Sequence, residues 1–449
     1  MNRRDFIKAS AAGAAALGVG RCHAAPPVTP SAAARAWRPN LLLILADDLG
    51  AECLGCYGGT SYATPNLDKL ASTSVRFEYA YATPLCSPSR AELLTGRYVF
   101  RTGMTNVILP DQPDARLDVR SHKTFANFLH DAGYATSIAG KWHLCHDFIN
   151  NPNHVADAGF DDRYLWRLFK DNKVTRHYWN PSLWLDGKPD EETGKSKFGD
   201  DLFTGHILDF IRASKDRPFL VYYPMTLVHS QSATGKNYPR SPDTFRPGDD
   251  PDAGAGPTGF GDLVTYMDKL VGKIVAELDR LGLRENTLIL FAGDNGTDAG
   301  ITSQLGKRKV KGEKGRLSEA GTRVPLIANW PGVVPQGKVL DDLVDFTDFL
   351  PTVLDAAGVA LPAGYPVDGR SFLPQLRGQK GQPREWVYRQ LGAKWFIRDR
   401  RYRLSSEGEF VDMADRYAPK PVADTPEASA ARQRLAAAVQ QVRGNPATT

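Results

Sequence analysis

The sequence predicts an α/β fold: a large central, mostly parallel sheet flanked by helices, with a small antiparallel sheet and a helix at the C-terminal end. Three observations predict it. Short, unbroken apolar runs stop abruptly at turn residues, as strands buried on both faces do. Segments with apolar residues at helical spacing lie between those runs. Beyond about residue 375 the texture changes to short alternating pieces separated by charged turns.

The elements follow in order. Residues 1–25 read as an address: Arg3-Arg4 precede a short Ala/Gly-rich apolar stretch, which resembles a twin-arginine signal peptide and implies a periplasmic or secreted protein. That stretch is too short to span a bilayer, and no transmembrane segment is expected elsewhere. The run LLLILA at 41–46 halts at Asp47-Asp48, and Thr64-Pro65 opens a helix over 64–71. Further helices are predicted at 122–131, 201–212 and 263–281. In the last, Leu263, Met267, Leu270, Ile274 and Leu278 share one face, and Gly282 is the stop. Strands are predicted at 218–223, at 288–292 running into Gly293-Asp294-Asn295-Gly296, and at 324–329. Residues 231–261, rich in Gly, Pro, Ser and Asp, read as a long loop. Four short strands at 386–388, 394–397, 402–404 and 410–413 precede a closing helix at 427–442, with Thr425-Pro426 as its cap and first position. The domains expected are the signal peptide at 1–25, a catalytic domain at 36–375 and a small C-terminal subdomain at 376–449.

Composition narrows the function. The net charge of +5 without a Lys/Arg block points to anionic small molecules or glycans rather than nucleic acid. Beyond the signal stand Cys53, Cys56, Cys86 and Cys145, too few for a disulfide framework. Cys53-x-x-Cys56 lacks the second pair that a zinc site needs, so a local disulfide or two packed thiols is expected.

Ligands of open α/β sheets gather beyond the carboxyl ends of strands. Asp47, Asp48, Asp294 and Asn295 all sit just past apolar runs. Pro88 suits the first turn of a helix and leaves Cys86 at its amino end, where free N–H groups favour negative charge; Arg90 lies one turn along. The pattern reads as an anion site holding a nucleophile, or as a buried cysteine at a helix start with a surface arginine. Lys141 and His143 stand two apart after a strand, so continued extension would put both on one face. The aromatics Tyr164, Trp166, Tyr178, Trp179 and Trp184, with Arg163, Arg167 and Arg176, suit packing of an insertion or a sugar platform.

Cys86-Ser-Pro-Ser-Arg90 followed by Leu94-Thr95-Gly96 resembles the signature of type I sulfatases, formylglycine-dependent members of the alkaline phosphatase superfamily. The segment from Gly133 through Gly140-Lys141-Trp142-His143 is similar to that family's second signature. Asp47-Asp48-Leu-Gly, Thr64-Pro-Asn-Leu-Asp, Gly293-Asp-Asn-Gly and Glu319-Ala-Gly-Thr-Arg-Val-Pro325 match it in order. The resemblance implies sulfate monoester hydrolysis, and the export signal and wide loop point to a sulfated carbohydrate as the substrate. It implies that a formylglycine-generating enzyme converts Cys86 to formylglycine (3-oxoalanine). It further implies one calcium ion on Asp47, Asp48, Asp294, Asn295 and the oxygen at position 86, a set of hard oxygen ligands. By the same resemblance Arg90 supports the aldehyde hydrate, Asp294 takes a proton from its attacking hydroxyl, and Lys141 holds the sulfate. His143 deprotonates the hydrate to release sulfate, and His229, with Lys314, protonates the departing alcohol. The alternative is a phosphodiesterase or phosphonate ester hydrolase of the same superfamily. The chain departs from the pattern at Cys145 and Ala320, where the family has glycine, and around His229, which lacks flanking prolines.

Overall fold

The computed structural model describes residues 38–231, 237–251 and 253–444; the signal peptide expected at 1–25 and parts of the loop expected at 231–261 lie outside them. The central sheet has eleven strands. They are β1 (Asn40–Ala46), β2 (Val75–Tyr81), β3 (Ala135–Gly140), β4 (Asp162–Trp166), β5 (Leu183–Leu185) and β6 (Lys188–Asp190). After these come β7 (Phe219–Pro224), β8 (Thr287–Gly293), β9 (Arg323–Val324), β10 (Leu326–Asn329) and β11 (Lys338–Asp345).

Along the sheet the order is β9-β2-β10-β8-β1-β7-β3-β4-β5-β6, with β11 added on β2. The central strands β8, β1, β7, β3 and β4 are parallel neighbours. Every residue of β1, β7 and β8 is buried, which is why their sequences run apolar without alternation. The strand expected at 324–329 is interrupted at Pro325 and runs antiparallel to β8 and β2. Proline has no N–H for the ladder, so the segment divides there.

Helices α1 (Pro65–Ser72), α2 (Cys86–Thr95), α3 (Phe125–Asp131), α4 (Gly199–Ser214), α5 (Gly256–Arg280) and α6 (Phe349–Ala357) accompany the sheet. Helix α3 starts later than its apolar pattern, because Thr124 and Asn127 form a capping box that sets its first turn. Helix α5 starts earlier than 263, with Pro257 in its first turn, and so shortens the expected loop. No helix among the described residues is long and apolar enough to cross a membrane.

The C-terminal sheet contains β12 (Val387–Leu391), β13 (Lys394–Arg398), β14 (Tyr402–Ser405), β15 (Phe410–Asp412) and β16 (Lys420–Pro421), paired antiparallel in chain order. Helix α7 (Pro426–Gly444) covers it, packing Ala431, Leu435 and Val439 against Tyr388, Ile397 and Tyr402. Cys53 and Cys56 are free thiols, so of the two expectations for that pair the packed thiols are found.

Candidate active site

Parallel register builds the first part of the site. Ala46 at the end of β1 is paired with Gly293 at the end of β8, so Asp47-Asp48 and Asp294-Asn295 leave the sheet at one level. Asp48 then turns back with a left-handed φ of 61°, and its N–H donates to Asp294 Oδ1 at 3.0 Å. On the other side of β7, strand β3 delivers Lys141, whose N–H donates to the Pro224 carbonyl at 2.7 Å. Gly140 makes this approach possible: its φ is 125°, and a Cβ there would lie 2.0 Å from the Pro224 oxygen.

Helix α2 aims its amino end at the same place. All ten of its residues are buried, and Cys86 and Pro88 occupy its first turn. Cys86 Sγ lies 3.2 Å from Asp47 Oδ1, 4.0 Å from Asp48 Oδ1 and 3.4 Å from Lys141 Nζ. Arg90 is not a surface residue. Its Nε and Nη2 donate to Asp294 Oδ2 at 3.2 and 2.8 Å, and Nη1 donates to the Lys141 carbonyl.

Charges balance at close quarters. Lys141 Nζ meets Asp47 Oδ2 at 2.5 Å, Lys314 Nζ meets Asp48 Oδ2 at 2.7 Å, and Arg90 takes Asp294. Burial pushes the Asp47 carboxyl up, but Lys141, His229, Arg90 and Lys314 outweigh it and hold it well below the usual range. Burial, then the Asp47 charge, pushes Asp294 up despite Arg90. Of the four lysines near 310, Lys314 alone reaches this cluster; Lys307, Lys309 and Lys311 are exposed on a hairpin.

The donors suit a hard cation. Asp47, Asp48, Cys86 and His229 offer ligand atoms within 4.8 Å of one another. Asn295 lies alongside, its Nδ2 on Asp48 Oδ1 at 2.8 Å, and its Oδ1 is buried with no hydrogen-bond partner among the described residues. A fully buried amide oxygen left unpaired beside three carboxylates is the arrangement an oxygen-loving cation completes.

His143 departs from the extended geometry expected after β3. It adopts a left-handed φ of 55°, so strand alternation stops at Gly140, yet its ring still feels Lys141, whose charge adds to burial in holding its pKa well below the usual imidazole value. Its Nε2 donates to the Ile108 carbonyl at 3.0 Å, leaving Nδ1 buried without a partner. His229 Nδ1 donates to the Ser230 carbonyl at 2.6 Å, and Nε2 points to Asp48 Oδ2 at 3.9 Å. Burial, with the charges of Lys141 and Lys314, lowers its pKa to about 4.

Sequence reasoning missed the residues behind His229. The Tyr178 hydroxyl donates to the His229 carbonyl at 2.7 Å, and Asp200 accepts from Thr226 in the same loop. Their signal was only an aromatic cluster and an acidic helix start. Tyr164, Trp166, Tyr178 and Trp184 are buried, so packing is the role of most of that cluster.

Residues 39–359 match the sulfatase family. The chain belongs to that family. Among curated sulfatases it is 31% identical to human steryl-sulfatase over 76% of this chain and 70% of that protein. It is 32% identical to dog N-acetylgalactosamine-6-sulfatase over 76% of this chain and 66% of that protein. The fold is shared with BT4656, solved in complex with its substrate D-glucosamine-2-N,6-O-disulfate, at a TM-score of 0.70 and 21% identity, covering 91% of this chain and 99% of that one. This sulfatase is an enzyme that hydrolyses sulfate esters. Residues 1–20 match the twin-arginine translocation signal, which directs it out of the cytoplasm.

Proposed function

We propose that this sulfatase removes sulfate from a carbohydrate monoester, with residue 86 as formylglycine and one calcium ion on Asp47, Asp48, Asp294 and Asn295. The seat of residue 86 carries the reading: the first turn of a buried helix, 3.2 Å from Asp47 Oδ1 and beside Lys141. Formylglycine at position 86 would supply hydroxyl nucleophile chemistry that a thiol lacks, and calcium on the four oxygen ligands would supply positive charge against the sulfate oxygens.

The chain's own residues do the rest. Lys141 and Lys314 neutralise charge on the sulfate, and Asp294, held by Arg90, accepts the proton of the attacking hydroxyl. His229 has its Nδ1–H tied to Ser230, so Nε2 is the atom that faces the departing alcohol; burial, Lys141 and Lys314 hold the free imidazole neutral, and the negative charge of bound sulfate offsets those lysines so that Nε2 takes up the proton it hands over. His143 has its Nε2–H tied to Ile108, so Nδ1 is the atom that takes a proton when sulfate is released. A carbohydrate substrate is supported by the sugar sulfates that the names of two relatives carry.

Cys86→Ala tests the centre. It is expected to lose at least about 10³-fold in kcat on sulfate esters, and mass analysis of the parent's peptide around position 86 should show the aldehyde in place of the thiol. A variant as fast as the parent refutes the proposal. Chelation of calcium should abolish turnover and lower the melting temperature; saturating calcium should restore both, with about 3 kcal/mol of stabilisation at a hundredfold excess over Kd.

A further inference from the structure

His177 lies outside every signature of the family match, on the chain between β4 and α4, yet it borders the site. It is fully buried, and neither ring nitrogen has a hydrogen-bond partner among the described residues. Burying an unsatisfied polar group costs about 1–3 kcal/mol, so the imidazole is a poor choice if filling space is its only task.

Its surroundings specify another. The ring meets that of His229 edge to face, with centroids 5.7 Å apart and planes at 68°. On another side it lies 4.4 Å from Trp166, whose ring faces Lys141 Nζ at 5.8 Å. The next residue, Tyr178, donates its hydroxyl to the His229 carbonyl. The pair cannot drift: Gly199 at the start of α4 donates to the Tyr178 carbonyl at 2.8 Å, and a Cβ on Gly199 would lie 2.0 Å from the His177 oxygen. Among the described residues, His229 Nδ1 has the neighbouring Ser230 carbonyl as its partner. That bond moves with its own loop and cannot set the ring against the site.

We propose that His177 is the positioning residue for His229, holding the imidazole so that Nε2 meets the leaving-group oxygen. The proposal rests on the reading of His229 as the proton donor to the departing alcohol. It makes the inserted segment 167–198 part of the catalytic apparatus rather than padding.

Aryl sulfates with phenols of graded acidity test it, because they carry no sugar hydroxyls and good leaving groups need no proton. His177→Leu fills most of the space without the flat ring that meets His229 and should fold like the parent, as a thermal melt will show; His177→Phe keeps a ring against His229. For His177→Leu, kcat/KM is expected to fall about 10- to 100-fold on phenyl sulfate and less than about threefold on 4-nitrophenyl sulfate, steepening the dependence on leaving-group pKa. His177→Phe should lie between Leu and the parent. An equal loss on all esters, or no loss on any, overturns the proposal. His229→Ala is the control: if it fails to steepen the same plot, the proton-donor reading fails by itself, whereas a steep His229→Ala plot beside a flat His177→Leu plot removes only the positioning role.

Discussion

Asp200 sits under the loop that carries His229 and links local chemistry to stability. Its Oδ1 accepts from the Thr226 N–H at 3.1 Å and the Tyr223 hydroxyl at 3.3 Å, and its Oδ2 accepts from the Thr226 hydroxyl. Burial nevertheless raises its pKa to about 7, against 3.8 for an ordinary aspartate. Between those values the folded chain keeps a proton that the unfolded chain releases. The stabilisation is therefore complete below about pH 4 and is lost as pH rises through about 7, by up to about 1.4 kcal/mol per unit. Asp200→Asn has no proton to lose. Urea midpoints measured from pH 4 to 8 should fall more steeply for the parent than for the variant, and parallel curves would contradict this assignment. The same scale shows what was readable in advance. Asp47, Asp48, Cys86, Arg90, Asp294 and Asn295 stood out because each follows a run or opens a helix. His177 gave no local sign and Asp200 only an acidic helix start, since their significance comes from what folds against them.

Among the elements, β3 and its exit are the most demanding. Strands β1, β7 and β8 were legible because both faces are buried and every position is apolar. The exit from β3 was not, because strand alternation assumes negative φ, whereas Gly140 and His143 have φ values of 125° and 55°. Gly140→Ala would force a methyl against the Pro224 carbonyl and move Lys141 off Asp47. A loss of about 3 kcal/mol is expected, seen as a lower melting temperature, along with loss of sulfatase activity. An unchanged melt would show that the β3–β7 contact can open without cost. Helix α2 behaves oppositely: Pro88 in its first turn and left-handed Gly96 at its end, both plain in the sequence, bracket it closely.

Across the whole molecule, buried charge joins the C-terminal sheet to helix α2, which carries residue 86. Arg389 on β12 donates through Nη1 to Glu92 on α2 at 2.6 Å and pairs through Nη2 with Asp345 at the end of β11. Nearby, Arg384 binds Asp348, and Arg398 on β13 reaches Glu319 at 2.7 Å. Arg389 and Asp345 are fully enclosed and Glu92 nearly so. Removing the arginine leaves two carboxylates buried together. Arg389→Met should therefore cost about 3–5 kcal/mol in denaturant unfolding, and adding Glu92→Gln should recover part of it. A loss confined to the C-terminal sheet, with activity intact, would show that α2 does not depend on this network.

The sequence by itself determined the family, the export route and the alternation of strands and helices, and it singled out most residues of the candidate site, because these rest on motifs and runs that a few neighbouring positions spell out. Tertiary structure decided which of four nearby lysines reaches Asp48, how His143 turns, what stands behind His229 and how the C-terminal sheet is tied to α2. Each of those depends on strand register and on contacts between residues far apart in the chain, and no local pattern encodes a distance that only packing sets.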